Sequence, residues 1–348
     1  MANRKVKTPT IRDVAKLAGV SQSTTSRALT RRGYASQEVR ERVLQAANQL
    51  GYNPHALASS LRMQTTQTVG LLIGDIINPF YAHLADGVLD GAQEKGFHVI
   101  LSAHGENPAI EQSSLEVLIQ QRVAGIVAVP TGQNIEFWGK AQDLGIHLVM
   151  VDRKIKSLPN IDSFLVDNIS GAYDMTSYLI SLGHRRIGII IGPPITTTGE
   201  GRLIGYQKAM REAGIPIEPE LVLMGTFQRG SGRQAAQNLL AMENPPTAIF
   251  AANNVLGEAC LIAIRENDLR IPQDISLGIF DDIPWASLTA PSITAVSQPA
   301  YHLGNLSVKR LIQRLGNKGN LDEAPVEEIL TPKLIVRESC GAIPLNYW

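Results

Sequence analysis

The sequence is short of several residue types, and each shortage narrows the class of protein. Its 348 residues include only two cysteines, Cys260 and Cys340, which exclude a disulfide framework and a cysteine-based metal cluster. Aromatic residues make up 5% of the chain, and no apolar run is long enough to span a membrane. The histidines at positions 98, 104, 147 and 184 lack metal-ligand spacing. We therefore expect a globular protein that needs neither a metal nor a cofactor.

Charge is balanced over the whole chain but divided unevenly along it. The 32 Lys and Arg residues equal the 32 Asp and Glu residues in number. Residues 1–62 hold eleven Lys or Arg against three Asp or Glu, a net charge of +8, which leaves −8 for the rest. A basic amino-terminal segment on an acidic body is typical of a chain that binds phosphates through that segment alone.

The basic segment has the polarity pattern of two helices joined by a tight turn. Thr10 and Asp13 are spaced like a capping box at the start of the first helix. Gly19 permits a sharp turn, and Ser21 can cap a second helix. Apolar residues recur at helical spacing in the first helix, at Ile11, Val14, Ala15 and Ala18.

The second helix is predicted to expose side chains that can read base edges. Thr25 and Leu29 face inward in this pattern, and Arg27 on the outer face can bond a guanine bidentately. A third helix, capped by Ser36, ends at Leu50. A short helix over residues 55–61 follows, too short to form without a partner, and residues 63–68 look like a tether. A plain helical bundle with a polar surface is the alternative.

The run from Thr10 through Arg62 closely resembles the LacI/GalR (lactose-repressor) family of bacterial transcription regulators, and the likeness covers nearly the whole chain. The resemblance implies that Gln22, Ser23 and Arg27 enter the major groove and that Leu61, beside Ala58, wedges into the minor groove. Thr25 stands where the family usually has Val. The residues expected to contact DNA are Thr10, Ser21, Gln22, Ser23, Thr24, Ser26, Arg27, Tyr34, Asn53, His55, Ala56, Leu57, Ala58, Leu61 and Arg62.

The chain after residue 68 alternates short apolar runs with amphipathic stretches. The apolar runs predict strands at 69–73, 97–101, 125–129, 147–151, 187–191, 221–224, 247–251 and 276–280. Helical patterns lie at 80–95, 109–121, 171–182, 202–213, 231–241, 255–266 and 301–315. Apolar strands alternating with helices predict parallel sheets covered on both faces. So many units favour two doubly wound lobes over a single sheet.

The resemblance implies the domain organisation of this α/β core. It implies two lobes like those of periplasmic sugar-binding proteins, with the chain crossing between them near residues 166–168, 295–297 and 324–327. The expected division is a helix-turn-helix head with its hinge helix (1–62), the tether (63–68), a first lobe (69–166 and 296–326) and a second lobe (167–295 and 327–348).

Polar and aromatic residues follow the predicted strands, where ligands bind in such sheets. Planar polar groups beside aromatic faces suit a polyhydroxylated ring. Asp75 and Asp152 also follow strands, although a lone carboxylate there often caps a helix or turn. The residues expected to contact a small-molecule effector are Asn78, Phe80, Tyr81, Arg153, Thr196, Thr198, Arg202, Asn253, Asp281 and Gln298.

The resemblance favours a sugar effector, with a ribose-like pentose first among sugars. Arg153 and Gln298 resemble the pocket of ribose-type binding proteins. Family members that bind purines tend to have an aromatic residue where Arg153 sits and an arginine where Thr196 sits. Asn254 stands where an Asp is common. A nucleobase- or sugar-phosphate-responsive regulator of the same family stays open.

An enzyme and an exported sugar-binding protein are the other classes to weigh. Residues 199–205 have G-x-G-x-x-x-G spacing, one residue longer than a dinucleotide fingerprint, and no G-x-S-x-G or H-E-x-x-H motif occurs, so we expect no enzyme. No apolar run follows the basic start as in a signal peptide, and we expect a bacterial cytoplasmic, nucleoid-associated protein without a membrane partner. The resemblance implies a homodimer, a repressor by preference, on pseudo-palindromic operator DNA. The tail shows no heptad repeat that would add a tetramer module.

Overall fold

The computed structural model describes residues 9–30, 34–50, 66–158, 160–227, 230–316 and 324–343. Contacts divide the chain into two units, Met1–Thr66 and Gln67–Trp348. The predicted hinge helix and residues 63–65 of the predicted tether lie outside the described residues. This applies to the predictions made for Asn53, His55, Ala56, Leu57, Ala58, Leu61 and Arg62.

The described part of the first unit consists of α1 (Ile11–Ala18), α2 (Gln22–Thr30) and α3 (Gln37–Leu50). The predicted capping box starts α1, where the Thr10 N–H donates to Asp13 Oδ2 at 2.7 Å. Gly19 ends α1 with φ 64°, a left-handed conformation that favours glycine. Ser21 Oγ accepts the Thr24 N–H at 3.1 Å at the start of α2. The helix-turn-helix prediction is confirmed.

Small apolar side chains fill the core of this unit. They are Val14, Ala18, Ala28, Val43, Ala46 and Ala47. Thr25 is fully buried among them, and its hydroxyl donates to the Ser21 carbonyl at 3.0 Å. The polar atom is therefore satisfied inside the helix, which explains how threonine replaces the family's valine without leaving an unpaired buried group.

The second unit contains two six-stranded sheets, each with its own helices. The first sheet is entirely parallel, in the order β11-β5-β4-β3-β1-β2. Its strands, numbered in chain order, are β1 (Thr68–Ile73), β2 (His98–Ala103), β3 (Gly125–Ala128), β4 (His147–Val151), β5 (Asp162–Val166) and β11 (Glu327–Leu330). Its helices are α4 (Pro79–Glu94), α5 (Pro108–Gln120), α6 (Ile135–Asp143) and α12 (Ala300–Gly316).

The second sheet has the order β12-β10-β9-β8-β6-β7, with β12 antiparallel at its edge. Its strands are β6 (Ile187–Ile191), β7 (Val222–Met224), β8 (Ala248–Ala251), β9 (Ser276–Phe280), β10 (Thr294–Ser297) and β12 (Lys333–Ile335). Its helices are α7 (Asn168–Ser181), α8 (Thr197–Glu212), α9 (Ser231–Leu240), α10 (Asn254–Glu266) and α11 (Pro284–Leu288). Strands β6, β8 and β9 are buried on both faces, because helices cover both sides of the sheet.

Two lobe boundaries differ from the predicted ones. Val296 pairs with Phe280 of β9, so residues 296–297 belong to the second sheet and the chain crosses after them. Strand β11 pairs with β5, so residues 327–330 belong to the first sheet and the third crossing falls after Leu330. Asp162 Oδ1 accepts the Val326 N–H at 2.7 Å and holds this segment beside β5. The tether also ends earlier than predicted, since Thr68 is already in β1.

Two glycines let α4 and α12 pack at backbone distance in the first lobe. A Cβ atom at Gly87 would lie 2.0 Å from the Tyr301 carbonyl oxygen, and one at Gly304 would lie 2.0 Å from the Leu84 carbonyl oxygen. Asn305 Nδ2 donates to the Gly87 oxygen at 3.2 Å across the same crossing. Neither position has room for a side chain.

The substitution Gly304→Ala is therefore expected to destabilise the second unit. The added methyl must push backbone apart, which costs about 1–3 kcal/mol or more. Urea unfolding followed by circular dichroism measures the change. Gly139→Ala in α6 is the matched control, because nothing lies within 4 Å of its Cβ position. It should leave stability unchanged or raise it by roughly 0.5–1 kcal/mol. Equal stability of the two variants would contradict this packing.

Candidate functional site

The described DNA-contact candidates lie on the surface of the first unit. Gln22, Ser23 and Arg27 are exposed on one face of α2, and Tyr34 is 88% exposed. Thr10 and Ser21 are exposed as well, while Thr24 and Ser26 are half-buried. Ser21 Oγ lies 2.8 Å from both Ser23 Oγ and Thr24 Oγ1, so hydroxyl groups cluster at the start of α2.

A cavity of about 360 Å³, including its mouth, lies between the carboxyl ends of the two sheets. This is the edge where parallel α/β sheets bind ligands. Nine of the ten predicted effector residues line the cavity: Asn78, Phe80, Tyr81, Arg153, Thr198, Arg202, Asn253, Asp281 and Gln298. Asp75, Glu106, Asp152 and Phe227 complete the lining.

The amino-terminal ends of helices hold several of these side chains in position. Asn78 caps α4 by accepting the Phe80 N–H at 3.0 Å, and Asn253 caps α10 by accepting the Leu256 N–H at 2.8 Å. Thr196 is the exception among the predicted effector residues. Its hydroxyl accepts the Gly199 N–H at 3.1 Å as the cap of α8, and it does not line the cavity. Its part in the site is therefore to start the helix that carries Thr198 and Arg202.

Two lining aspartates adopt left-handed backbone conformations directly after their strands. Asp152 follows β4 with φ 65°, and Asp281 follows β9 with φ 76°. Such conformations cost of order 1–3 kcal/mol for residues other than glycine and cluster at functional sites. They turn both carboxylates into the cleft, where each is about 95% buried.

Arg153 is held by a buried network within the first lobe. Its Nη1 and Nη2 donate to the two carboxylate oxygens of Glu106 at 2.7 and 3.0 Å, a bidentate pair. Nη2 also donates to the Tyr81 hydroxyl at 2.9 Å. From the second lobe, the Phe227 ring lies over the guanidinium, with its centroid 4.7 Å from Cζ.

Arg202 occupies the corresponding place in the second lobe. Its Nε donates to Asn168 Oδ1 at 2.8 Å, and its Nη1 donates to the Ala252 carbonyl at 2.6 Å. Its Nη2 lies 4.0 Å from Asp281 Oδ1, and its Cζ lies 3.8 Å from the centroid of the Phe280 ring. Two buried guanidiniums therefore face one cavity from opposite lobes.

Burial and charge pairing shift several pKa values in the cavity. Burial raises the pKa of Asp152 to about 6, although Arg153 and Arg202 act in the opposite direction. Burial also raises the pKa of Tyr81 well above 10.0. The pKa of Glu106 is lowered despite the opposing effect of burial, because Arg153 supplies both charge and hydrogen bonds. Glu106 is therefore ionised at neutral pH.

Polar contacts join the two lobes around the cavity. Asn78 Nδ2 donates to Asn254 Oδ1 at 3.2 Å, and Asn254 Nδ2 donates back to Asn78 Oδ1 at 2.7 Å. Lys156 forms an ion pair with Glu200 across the same cleft. In this amide pair, Asn254 is the residue that stands where an aspartate is common in the family. An aspartate there would bring an acceptor against Asn78 Oδ1.

Glu106 and Phe227 line the cavity but were not predicted from the sequence. Both come after strands, so the same strand-end rule could have found them. Glu106 was not predicted because the predicted second strand ended at residue 101, whereas β2 continues to Ala103. Phe227 follows β7, a strand of three residues whose side chains are only half-buried or exposed and whose end is poorly marked by hydropathy.

Known proteins resemble this chain over nearly its whole length. Residues 10–55 match the family described as bacterial regulatory proteins, lacI family, and residues 176–340 match the periplasmic binding protein-like domain. The HTH-type transcriptional regulator DegA of Bacillus subtilis is 34% identical over 97% of this chain and 99% of its own. The HTH-type transcriptional repressor PurR of Haemophilus influenzae is 33% identical over 96% and 99%. The crystal structure of the lac repressor dimer bound to operator and the anti-inducer ONPF superposes with a TM-score of 0.79, with 26% identity over 97% of this chain and 100% of that one.

The chain belongs to the LacI family of bacterial transcriptional regulators, whose members join a helix-turn-helix head to a ligand-binding core. These relatives are regulators and not enzymes. Among the described residues, no helix is long and apolar enough to cross a membrane, and no group of histidine, cysteine and carboxylate side chains could hold a metal ion.

The raised pKa of Asp152 predicts a stability change with a definite sign. The folded pKa of about 6 lies above the ordinary value of 3.8, so the folded state holds the proton more tightly and stability falls as pH rises between these values. Asp152→Asn removes this loss. At pH 7.5 the variant should be more stable than the parent by on the order of 1 kcal/mol or more, with a smaller gain at pH 4.5.

Calorimetric melting at the two pH values measures this difference. The exposed Asp143, at the end of α6, provides the control substitution Asp143→Asn, which should shift neither melting curve appreciably. A variant Asp152→Asn that melts below the parent protein at pH 7.5 would show that the carboxylate is stabilised where it lies.

Proposed function

We propose that this protein represses transcription as a homodimer on pseudo-palindromic operator DNA and that a sugar bound between its core lobes controls operator affinity. A ribose-like pentose is the first candidate, and the site of action is the bacterial cytoplasm, at the nucleoid. The proposal that a sugar binds between the lobes rests on the buried polar cavity at the strand ends, where two guanidiniums, carboxylates and amides converge.

The DNA-binding part rests on the exposed face of α2 and on charge. Gln22, Ser23 and Arg27 present amide, hydroxyl and guanidinium groups without a fold role of their own in the core. Such groups read base edges in the major groove, and the +8 charge of residues 1–62 suits phosphate contacts. One head covers little DNA, and the related lac repressor was captured as a dimer on its operator.

The choice of a sugar rests on the chemistry of the cavity. Within the described residues, Asp152 Oδ1 and Gln298 Oε1 are buried acceptors without a hydrogen-bond donor. Arg153 Nε makes no hydrogen bond, and Asp152 Oδ2 lies 3.5 Å from it. Vicinal hydroxyl groups can serve both kinds of atom. Phe80 and Phe227 supply apolar faces beside them.

Coupling follows from the position of the cavity between lobes. A ligand there touches strand ends of both sheets, so its binding free energy depends on how the lobes are closed. Any effect of the sugar on operator affinity is matched by an equal effect of operator on sugar affinity. Both induction and corepression satisfy this relation.

Two substitutions should separate the activities. Arg27→Ala is expected to weaken operator binding by about 1–3 kcal/mol while leaving sugar affinity intact, because only a base contact is lost. Asp281→Ala is expected to abolish sugar binding while operator binding persists. Fluorescence anisotropy on a duplex selected from a random library, together with calorimetry, measures both. Arg122→Ala, in a turn of the core, serves as the control for losing an arginine. Equal sugar loss in both variants would refute the assignment.

The effector class is tested by titration calorimetry of the full chain against pentoses, hexoses and nucleobases. Heat from a pentose or hexose that also changes operator anisotropy supports the proposal. Binding confined to nucleobases, or sugar binding without any change in operator affinity, refutes it.

A further inference from the structure

Carboxylates outnumber guanidiniums around the effector cavity. The two arginines, Arg153 and Arg202, face four lining carboxylates: Asp75, Glu106, Asp152 and Asp281. A site that binds phosphate or carboxylate groups normally offers cationic side chains with free donors. Whether this cavity can bind an anion therefore depends on what the two arginines already hold.

The charge of Arg153 is already matched. Both of its terminal nitrogens donate to Glu106, and one of them also donates to Tyr81. The side chains of Arg153 and Glu106 are only 4% and 12% exposed, so solvent screens the pair little. An anion approaching this guanidinium would meet the carboxylate that pairs with it.

Arg202 is similarly committed. Two of its nitrogens donate to neutral oxygens of Asn168 and Ala252, and the third faces Asp281. Gln298 donates to the same Asp281 carboxylate. A ligand anion near Arg202 would therefore compete with Asp281 for the one nitrogen that is not hydrogen-bonded to protein.

The fold holds Glu106 in this position by local contacts. Glu106 has φ 59°, and its N–H donates to His104 Nδ1 at 3.1 Å. His104 is fully buried, and its other nitrogen donates to the Val129 carbonyl at 2.9 Å, which fixes the tautomer. Gly74 leaves the space, since a Cβ atom there would lie 2.5 Å from Glu106 Oε1. The carboxylate is thus placed over the end of β1.

We propose that Glu106 determines the charge selectivity of the effector site: by pairing with Arg153 it leaves the cavity net negative, so that the site accepts neutral polyhydroxylated sugars and rejects sugars that carry phosphate or carboxylate. This inference rests on the proposed sugar-binding function. Asp152 Oδ1 and Gln298 Oε1, acceptors that have no hydrogen-bond partner in the described part of the chain, fit it, because they require donors that hydroxyl groups have and an ionised phosphate lacks.

The test compares matched neutral and anionic sugars on the full chain at pH 7.5. The probes are D-ribose with D-ribose 5-phosphate and D-ribonate, and D-glucose with D-glucose 6-phosphate and D-gluconate. For whichever neutral sugar binds, titration calorimetry should show an affinity at least about 100-fold higher than that of its phosphate and its acid. The reason is that like charges brought together are strongly disfavoured.

The substitution Glu106→Gln removes the charge and keeps a hydrogen-bonding side chain of the same size. The ratio of the affinity for the anions to the affinity for the neutral sugar should rise by about tenfold or more, because Arg153 is released. Glu116→Gln on the exposed face of α5 is the matched control and should leave the ratio of affinities unchanged. Circular dichroism and melting curves check that both variants fold.

The outcomes separate this inference from the function beneath it. Anions that bind the parent protein as tightly as their neutral counterparts overturn the selectivity even if Glu106→Gln fails to fold. A ratio of affinities that is the same in Glu106→Gln as in the parent overturns the role of Glu106 and leaves the sugar-binding function intact. Absence of binding by every sugar, neutral or anionic, overturns the proposed function itself, and this inference falls with it.

Discussion

The pairing of buried carboxylates with buried guanidiniums allows the two lobes of the core to close on a polar cleft. Removing an unpaired ion from water costs several kcal/mol, so the cleft can close only if its charges are matched. Glu106 matches Arg153 inside the first lobe, and carbonyl oxygens together with Asp281 serve Arg202 in the second. Asp152 is the residue for which this matching is incomplete, since burial raises its pKa even though Arg153 and Arg202 lower it. Ligand hydroxyl groups that reach Asp152 would relieve part of this cost, which links effector chemistry directly to lobe closure.

Much of the fold could be predicted because each sheet is covered on both faces. Strands such as β6 and β9 are continuous apolar runs, and the helices between them carry clear amphipathic patterns. The missed strands, β5, β10, β11 and β12, are short and mix polar with apolar residues. Strand β5 begins with Asp162, whose buried carboxylate accepts from Arg314, 152 positions away. Strand β11 lies at a sheet edge with alternating exposure. No local window contains the partners that make these segments strands, and for the same reason the lobe boundaries near residues 296 and 327 were misplaced.

The candidate site was predictable to the extent that it follows from topology. Parallel strands end at one edge, so polar residues after β1, β4, β8 and β9 had to converge. Thr196 shows where this reasoning fails, since a hydroxyl at a strand end can instead cap the next helix. Glu106 shows the opposite failure, because its place depends on a left-handed turn held by His104 and on the missing side chain of Gly74. Such contacts depend on exact backbone geometry, which residue types alone do not specify. The amide pair between Asn78 and Asn254 is of the same kind.

The glycine crossing of α4 and α12 joins segments made at very different times during synthesis. Asn305 donates to the Gly87 carbonyl across 218 positions of the chain. A ribosome adding ~5–20 residues per second needs about 10–40 s to cover that distance. During that interval α4 lacks its packing partner α12, while the helices and strands from β6 to β10 are synthesised before that partner. The first lobe is thus begun first, yet α4 cannot pack against α12 until most of the second lobe has been synthesised.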